Sequence, residues 1–301
     1  DVTVEIRGDT LFAPGIGDDT RGLIVVLTVL RALEAASLVT DANLIFLGSV
    51  GEEGLGDLRG VKHFFGENGP KVDAFIELDG SGLSSIVSMG LGSTRYRVTF
   101  RGAGGHSWGA FGLVNPAHAL GRAISHFAVV ADSLTRTGSR TSFNVGRIGG
   151  GTSVNSIPFE AWMEVDMRSE SPESLETISA ALLEAVELAA EEENLFRRDG
   201  AAIEMEADRI GSRPSGETDP TDPLVQRAMA VTRHFGEVPY LSRSSTNSNI
   251  PISLGIPAVT IGRGGVGGGN HSPGEWWLNQ EGYKAIQRAL LILVAEAGFS
   301  G

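Results

Sequence analysis

The sequence predicts an α/β protein in which a mostly parallel sheet domain, residues 1–92 and 211–301, is split by an inserted βαββαβ domain, residues 93–210. Three observations carry this expectation. Up to residue 90, short apolar runs alternate with helical patterns, the spacing of βαβ units around a buried parallel sheet. Near Leu91 the runs change to strict polar and apolar alternation, the mark of half-exposed strands. After residues 211–222, rich in Pro, Gly, Ser, Thr and Asp, the first pattern resumes.

Residues 21–36 have helical periodicity, with Leu23, Val26, Leu27, Leu30 and Leu33 as the expected apolar stripe. A strand over 43–50, a helix around 60–65 and a strand over 72–78 follow. In the inserted domain, Tyr96, Val98 and Phe100 alternate with Arg95, Arg97 and Thr99 across a strand at 94–101. A helix over 116–133, strands at 141–148 and 161–168, an acidic helix over 172–194 and a strand at 201–207 complete the unit. This is the ferredoxin-like order, an antiparallel sheet covered by helices on one face. A helix at 223–235, a short buried strand at 258–261 and a helix at 280–297 close the chain.

With 301 residues, 41% hydrophobic and 20% charged, the chain is long enough for a substantial core. Its formal charge of −13 repels nucleic acid and anionic membrane surfaces, so neither is an expected partner. No apolar run is long enough to span a bilayer. The absence of cysteine excludes disulfides and thiolate metal sites. A cytoplasmic location is expected, with export kept open because Asp1-Val2-Thr3-Val4 resembles neither a signal peptide nor an initiator segment.

The chemistry sits at the ends of apolar strands. Residues 44–50 run into Glu52-Glu53, with Gly51 before and Gly54 after the pair. Adjacent carboxylates repel each other, and a bound cation removes that repulsion. Asp18-Asp19 follows Ala13-Pro14-Gly15-Ile16-Gly17, Asp79-Gly80 ends another strand, and Asn270-His271 follows the glycine-rich stretch 262–269. In parallel α/β sheets ligands bind at the carboxyl edge of the strands, so four such sites can converge. Each has a plainer reading: a helix cap for Asp18 or Asp19, a turn at Asp79, a surface loop for His271. Their coincidence at strand ends favours a cation site, and carboxylates with one imidazole suit zinc, manganese or cobalt. His63, His118, His126 and His234 lie in or beside expected helices and read as structural.

Seven segments resemble the M20 metallopeptidases and deacylases, in order and over nearly the whole chain: 13–22, 51–54, 78–80, 104–107, 155–158, 166–168 and 270–272. That family includes tripeptidase T, glutamate carboxypeptidase, acetylornithine deacetylase and succinyl-diaminopimelate desuccinylase. The resemblance implies a metallohydrolase with two divalent ions, zinc first and cobalt or manganese as alternatives. It would cleave a peptide or N-acyl amide bond in a small substrate by metal-activated water. The inserted domain would be a lid that also forms a homodimer.

Carried over by position, Asp18 bridges the two ions and joins Asp19 by a cis peptide, while Glu53, Asp79 and His271 are further metal ligands. Glu52 is implied as the general base that takes a proton from water and delivers it to the leaving amine. His106 is implied as a donor to the oxyanion, reaching across the dimer. Asn155 and Arg168 match positions that contact substrate. Read without the resemblance, His106 is a turn histidine in a glycine-rich segment.

The chain departs from the family's pattern in three places. Relatives carry a His-x-Asp strand ahead of the Asp18 position, but the seventeen residues before Asp18 hold no histidine. Asn247 stands where relatives often have Asp, and residues 90–94 lack a basic residue that holds a substrate carboxylate; Arg243 or Arg263 would supply that charge. Thr20 and Asp79 favour the aminopeptidase or tripeptidase side of the family. The competing reading is an inactive or metal-poor truncated homologue that serves as a binding or dimerisation module. A paired-carboxylate glycosidase is disfavoured, because adjacent Glu residues do not flank a bond from opposite sides.

Overall fold

The computed structural model describes residues 2–299, so Asp1, Ser300 and Gly301, at the ends of the expected split domain, lie outside the described residues. The chain divides into two compact units, Asp1–Gly90 with Glu217–Gly301, and Leu91–Gly216.

In the first unit the strands Tyr240–Ser244, Ser85–Gly90, Ala258–Ile261 and Phe75–Leu78 lie side by side in that order. The outer pairs are parallel and the central pair, Ala258–Ile261 with Ser85–Gly90, is antiparallel. The expected mostly parallel sheet is therefore mixed. Connection length explains it. Only six residues separate Phe75–Leu78 from Ser85–Gly90, whereas parallel neighbours in a sheet need a crossover of about a dozen or more. The chain reverses direction instead.

Three helices pack on this sheet. Val25, Val29 and Leu33 of Thr20–Ala36, Leu224, Val225 and Ala228 of Pro223–His234, and Ala289 and Ile292 of Tyr283–Ala297 meet Ile86, Val259 and Ile261 in one core. The first helix turns a different face inward from the one expected. Its buried stripe is Gly22, Val25, Val29 and Leu33, while Leu23 and Leu27 are exposed. The helix is apolar on most sides, so periodicity alone does not select the face.

The expected strand over 43–50 carries no ladder among the described residues. Its flanks are tied down by Asp41 N–H to Gly298 O (3.2 Å), Ala42 N–H to Ala297 O (3.0 Å) and Gly60 N–H to Val50 O (3.0 Å). Leu44 and Phe46 pack partly against the core. Phe75–Leu78 pairs only with Ala258–Ile261, leaving its other edge free among the described residues. Both segments line a cavity of about 830 Å³. Apolar composition supplies the tendency to extend, but a strand also needs a neighbour in register, and 43–50 has none.

A small antiparallel sheet that the periodicity did not predict joins Glu5–Arg7, Thr10–Phe12, Trp276–Leu278 and Val266–Gly268. It sets the loop after Phe12 beside the loop before Trp276, where Ala13 N–H meets Glu275 O at 3.1 Å.

The second unit is an antiparallel sheet in the order Glu204–Arg213, Gly92–Arg101, Glu160–Ser169, Thr141–Gly150. Alternate residues of one strand, Ala161, Met163, Val165 and Met167, face the helices Pro116–Thr135 and Pro172–Phe196. Both helices begin with proline after a capping residue: Asn115 accepts from Ala117 N–H and Ser171 from Ser174 N–H. The last strand continues past the expected start of the linker at 211, because Arg213 still pairs with Ser93. Among the described residues no helix is long and apolar enough to cross a membrane.

Candidate metal centre

The site is built on loops of the first unit, beginning with residues 13–19. Glu275, 2% exposed, accepts three backbone N–H bonds there: from Gly15 at 2.8 Å, Gly17 at 2.9 Å and Asp18 at 2.7 Å. One buried carboxylate thus shapes the loop that presents Asp18. The peptide between Asp18 and Asp19 is cis, as the resemblance implies. Asp19 caps the following helix through Gly22 N–H at 3.1 Å.

Asp18 faces two ways. Its Oδ2 lies 3.2 Å from His271 Nε2 and accepts from Asn270 Nδ2 at 3.2 Å. His271 Nε2 is also 3.3 Å from Glu53 Oε2. Asp18, Glu53 and His271 each offer a ligand atom, all within 4.8 Å of one another. On the other side, Asp18 Oδ1 lies 3.3 Å from Arg263 Nη1, which also sits 3.3 Å from Asp19 Oδ1 and 2.6 Å from Asp79 Oδ1. Asp18, Asp19 and Asp79 make a second convergent set with the same 4.8 Å spread.

Backbone shape delivers these groups. Gly51 has φ +70°, where a side chain is strained, and a Cβ there would also displace the Arg59 side chain. The chain then turns through Glu52-Glu53 into the short turn Gly54–Gly56. Glu52 lines the same cavity as Asp18, Glu53 and Asp79. His271 itself has φ +62°, a left-handed conformation that aims its ring back at Asp18 and Glu53.

Crowded negative charge marks the whole cluster. The Glu53 carboxylate raises the His271 pKa; slight burial opposes this, and Asp18 adds to the rise. Asp19 is pushed up to about 8, by burial first, against the pull of Arg263, with Asp79 and Asp18 adding repulsion. Its side chain keeps 39% exposure, so solvent relieves part of that penalty.

The sequence offers Arg263 to a substrate carboxylate; in the structure its side chain is 2% exposed and its guanidinium meets the protein's own aspartates. Arg243 bonds the sulfur of Met89.

Behind Asp79, Glu77 is buried and accepts from Asn247 N–H (3.0 Å), Ser248 N–H (2.8 Å), and the hydroxyls of Ser248 and Thr260 (2.9 Å each). Burial raises its pKa, and Asp79 adds repulsion that these bonds oppose. Glu275 and Glu77 were both missed from sequence. The only signal is a carboxylate four residues after His271 and another two before Asp79.

His106, Asn155 and Arg168 belong to the second unit. His106 pairs with Ser156, and Ser107 N–H donates to Asn155 O at 2.9 Å, so His106 and Asn155 share one exposed loop pair. His106 Nδ1 accepts from Trp108 and Gly109 N–H at 3.3 and 3.4 Å. Arg168 Nε holds Asp166 at 2.8 Å.

Comparison with known proteins decides the family: residues 2–295 match the M20/M25/M40 peptidases. The chain belongs to that family. Its fold is similar to the aminopeptidase PepT of Bacillus cereus, at 23% identity over 97% of this chain and 76% of that one, TM-score 0.74. A tripeptidase of Staphylococcus aureus matches at 22% identity over 98% of this chain and 77% of that one, TM-score 0.79. The dipeptidase Dug1p of Saccharomyces cerevisiae matches at 17% identity, covering 98% and 75%, TM-score 0.69.

The two sets of this M20 member differ in their fitness for a metal ion. Asp18, Glu53 and His271 are two carboxylates and an imidazole on an open cleft, a donor set suited to zinc. Asp18, Asp19 and Asp79 already converge on a guanidinium. The first set fits a divalent cation, whereas the second has the Arg263 guanidinium among its oxygens.

Proposed function

We propose that this M20 protein hydrolyses a peptide or N-acyl amide bond in a small substrate, with a divalent cation, zinc first, held by Asp18, Glu53 and His271. The observation that carries this reading is the convergence of those three side chains on one another, with Asp18 and Glu53 lining the cavity that Glu52 also lines. When bound, the cation supplies Lewis acidity toward water and the scissile carbonyl. Glu52 is not one of the three converging side chains, and in this reading it works as the base, taking the proton from water and passing it to the leaving amine.

In this reading the second unit is the lid of a homodimer: as the resemblance implies, His106 is the oxyanion donor that reaches across the dimer, and Asn155, beside it on the same loop pair, is a substrate contact. Arg168 serves as a further substrate contact from the same unit. Short peptides are the first substrates to try, since similar folds occur in an aminopeptidase, a tripeptidase and a dipeptidase.

Assay of Glu52→Ala on a panel of di- and tripeptides and N-acyl amino acids tests the reading. Turnover should fall by roughly 10²–10⁴-fold, the usual worth of a general base, while zinc content stays that of the parent. Robust turnover by the variant overturns it.

A further inference from the structure

We propose that Arg263 is a fixed cation built into the place of a second metal ion, so that the folded chain takes up one divalent cation, at Asp18, Glu53 and His271, and not two. The inference rests on the metal site proposed above and deepens it.

The geometry carries the argument. Nη1 of Arg263 lies at the common focus of Asp18, Asp19 and Asp79, at 3.3, 3.3 and 2.6 Å from one oxygen of each. A zinc ion using those oxygens would sit about 2.0–2.2 Å from each, in the space the nitrogen fills. Arg263 is not a surface side chain resting there: it is 2% exposed, among the largest fully buried side chains of the chain. Its backbone is held as well, Arg263 N–H donating to Gly80 O at 3.0 Å, next to Asp79 itself.

Asp18 then keeps the arrangement of a bridging carboxylate with unlike partners. Oδ2 turns to the open set with His271 and Glu53, and Oδ1 turns to the guanidinium. Arg263 acts as a positioning residue. It neutralises Asp79 and fixes Asp18 from behind, leaving the other oxygen aimed at the single cation.

Equilibrium dialysis against zinc followed by elemental analysis tests this, with no need of activity. The parent chain should hold one ion, and Arg263→Met, which empties the focus while keeping a side chain of similar length, should rise toward two. Asp79→Asn should stay at one, because Asp79 belongs to the set that meets the guanidinium and not to the open one. Two ions in the parent, or loss of the one ion in Asp79→Asn, overturns the inference and leaves the proposed hydrolase standing. No bound ion in the parent overturns both. If Arg263→Met does not fold, the parent and Asp79→Asn measurements decide by themselves.

Discussion

Three backbone N–H groups, at Gly15, Gly17 and Asp18, depend on the single carboxylate of Glu275. Replacing it with Ala strips all three at once, and each buried donor left unpaired costs about 1–3 kcal/mol. The loop would relax to recover part of that, so the expected loss in a urea melt of Glu275→Ala is nearer one such donor than three. Zinc affinity should fall by about 10–100-fold, the usual effect of losing a group that orients a ligand. An unchanged midpoint and unchanged affinity would show that the loop holds its shape without Glu275. Glu77 plays the matching part under Asp79, gripping the 247–248 turn through two N–H groups. Glu77→Ala should likewise lower the urea midpoint, by roughly 1–3 kcal/mol of stability, because those donors stay buried.

Among the elements, Arg95 ties Gly92–Arg101 to Glu160–Ser169 on the face away from the helices by bonding Asp166, which Arg168 of the same strand also holds. Burial pushes the Asp166 carboxyl up, but hydrogen bonds from Arg168 and Arg95 outweigh it and hold it below its ordinary 3.8. A carboxyl lowered on folding stabilises the fold above its unfolded value and loses that contribution as pH falls through the folded one. The melting temperatures of parent and Asp166→Asn should therefore differ near about pH 5 and converge toward about pH 2. A gap that widens on acidification would contradict this assignment. The segment 43–49 poses the opposite case, an apolar run with no ladder. Its amides should exchange with solvent deuterium well before those of Ala258–Ile261, which is buried and paired on both sides. Equal protection would mean that this segment is paired in solution.

At the scale of the whole molecule, the second unit leaves Thr141–Gly150 as an edge strand with one neighbour, and Val129, Val130 and Leu188 exposed on its helices. An unpaired edge and exposed apolar side chains are the features through which copies associate. The proposed homodimer through this unit should appear as twice the chain mass in light scattering, and Val129→Glu with Leu188→Glu should shift it toward monomer. A monomer at all concentrations would remove the dimer from the proposal.

The second unit was readable because its long strands alternate strictly and its helices carry caps and prolines at their starts. The first unit was readable only in part. Glu5–Arg7, Thr10–Phe12 and Val266–Gly268 are three residues each, too short to show a period, and the direction of Ser85–Gly90 follows from loop length and packing.

By itself the sequence determined which chemical groups stand at the strand ends: Asp18 with Asp19, Glu52 with Glu53, Asp79, and His271. Those identities, and the order of the segments that carry them, point to the M20 family without any coordinates. The tertiary structure decided which charge meets which. Asp79 and Arg263 are 184 residues apart and share a 2.6 Å hydrogen bond, and Glu275 stands 257 residues from the Asp18 amide it holds. Charge pairing and hydrogen bonding depend on distance through space, which no spacing along the chain encodes. For that reason the aspartates around Arg263, a basic residue that the sequence offered to the substrate, were not visible in the sequence.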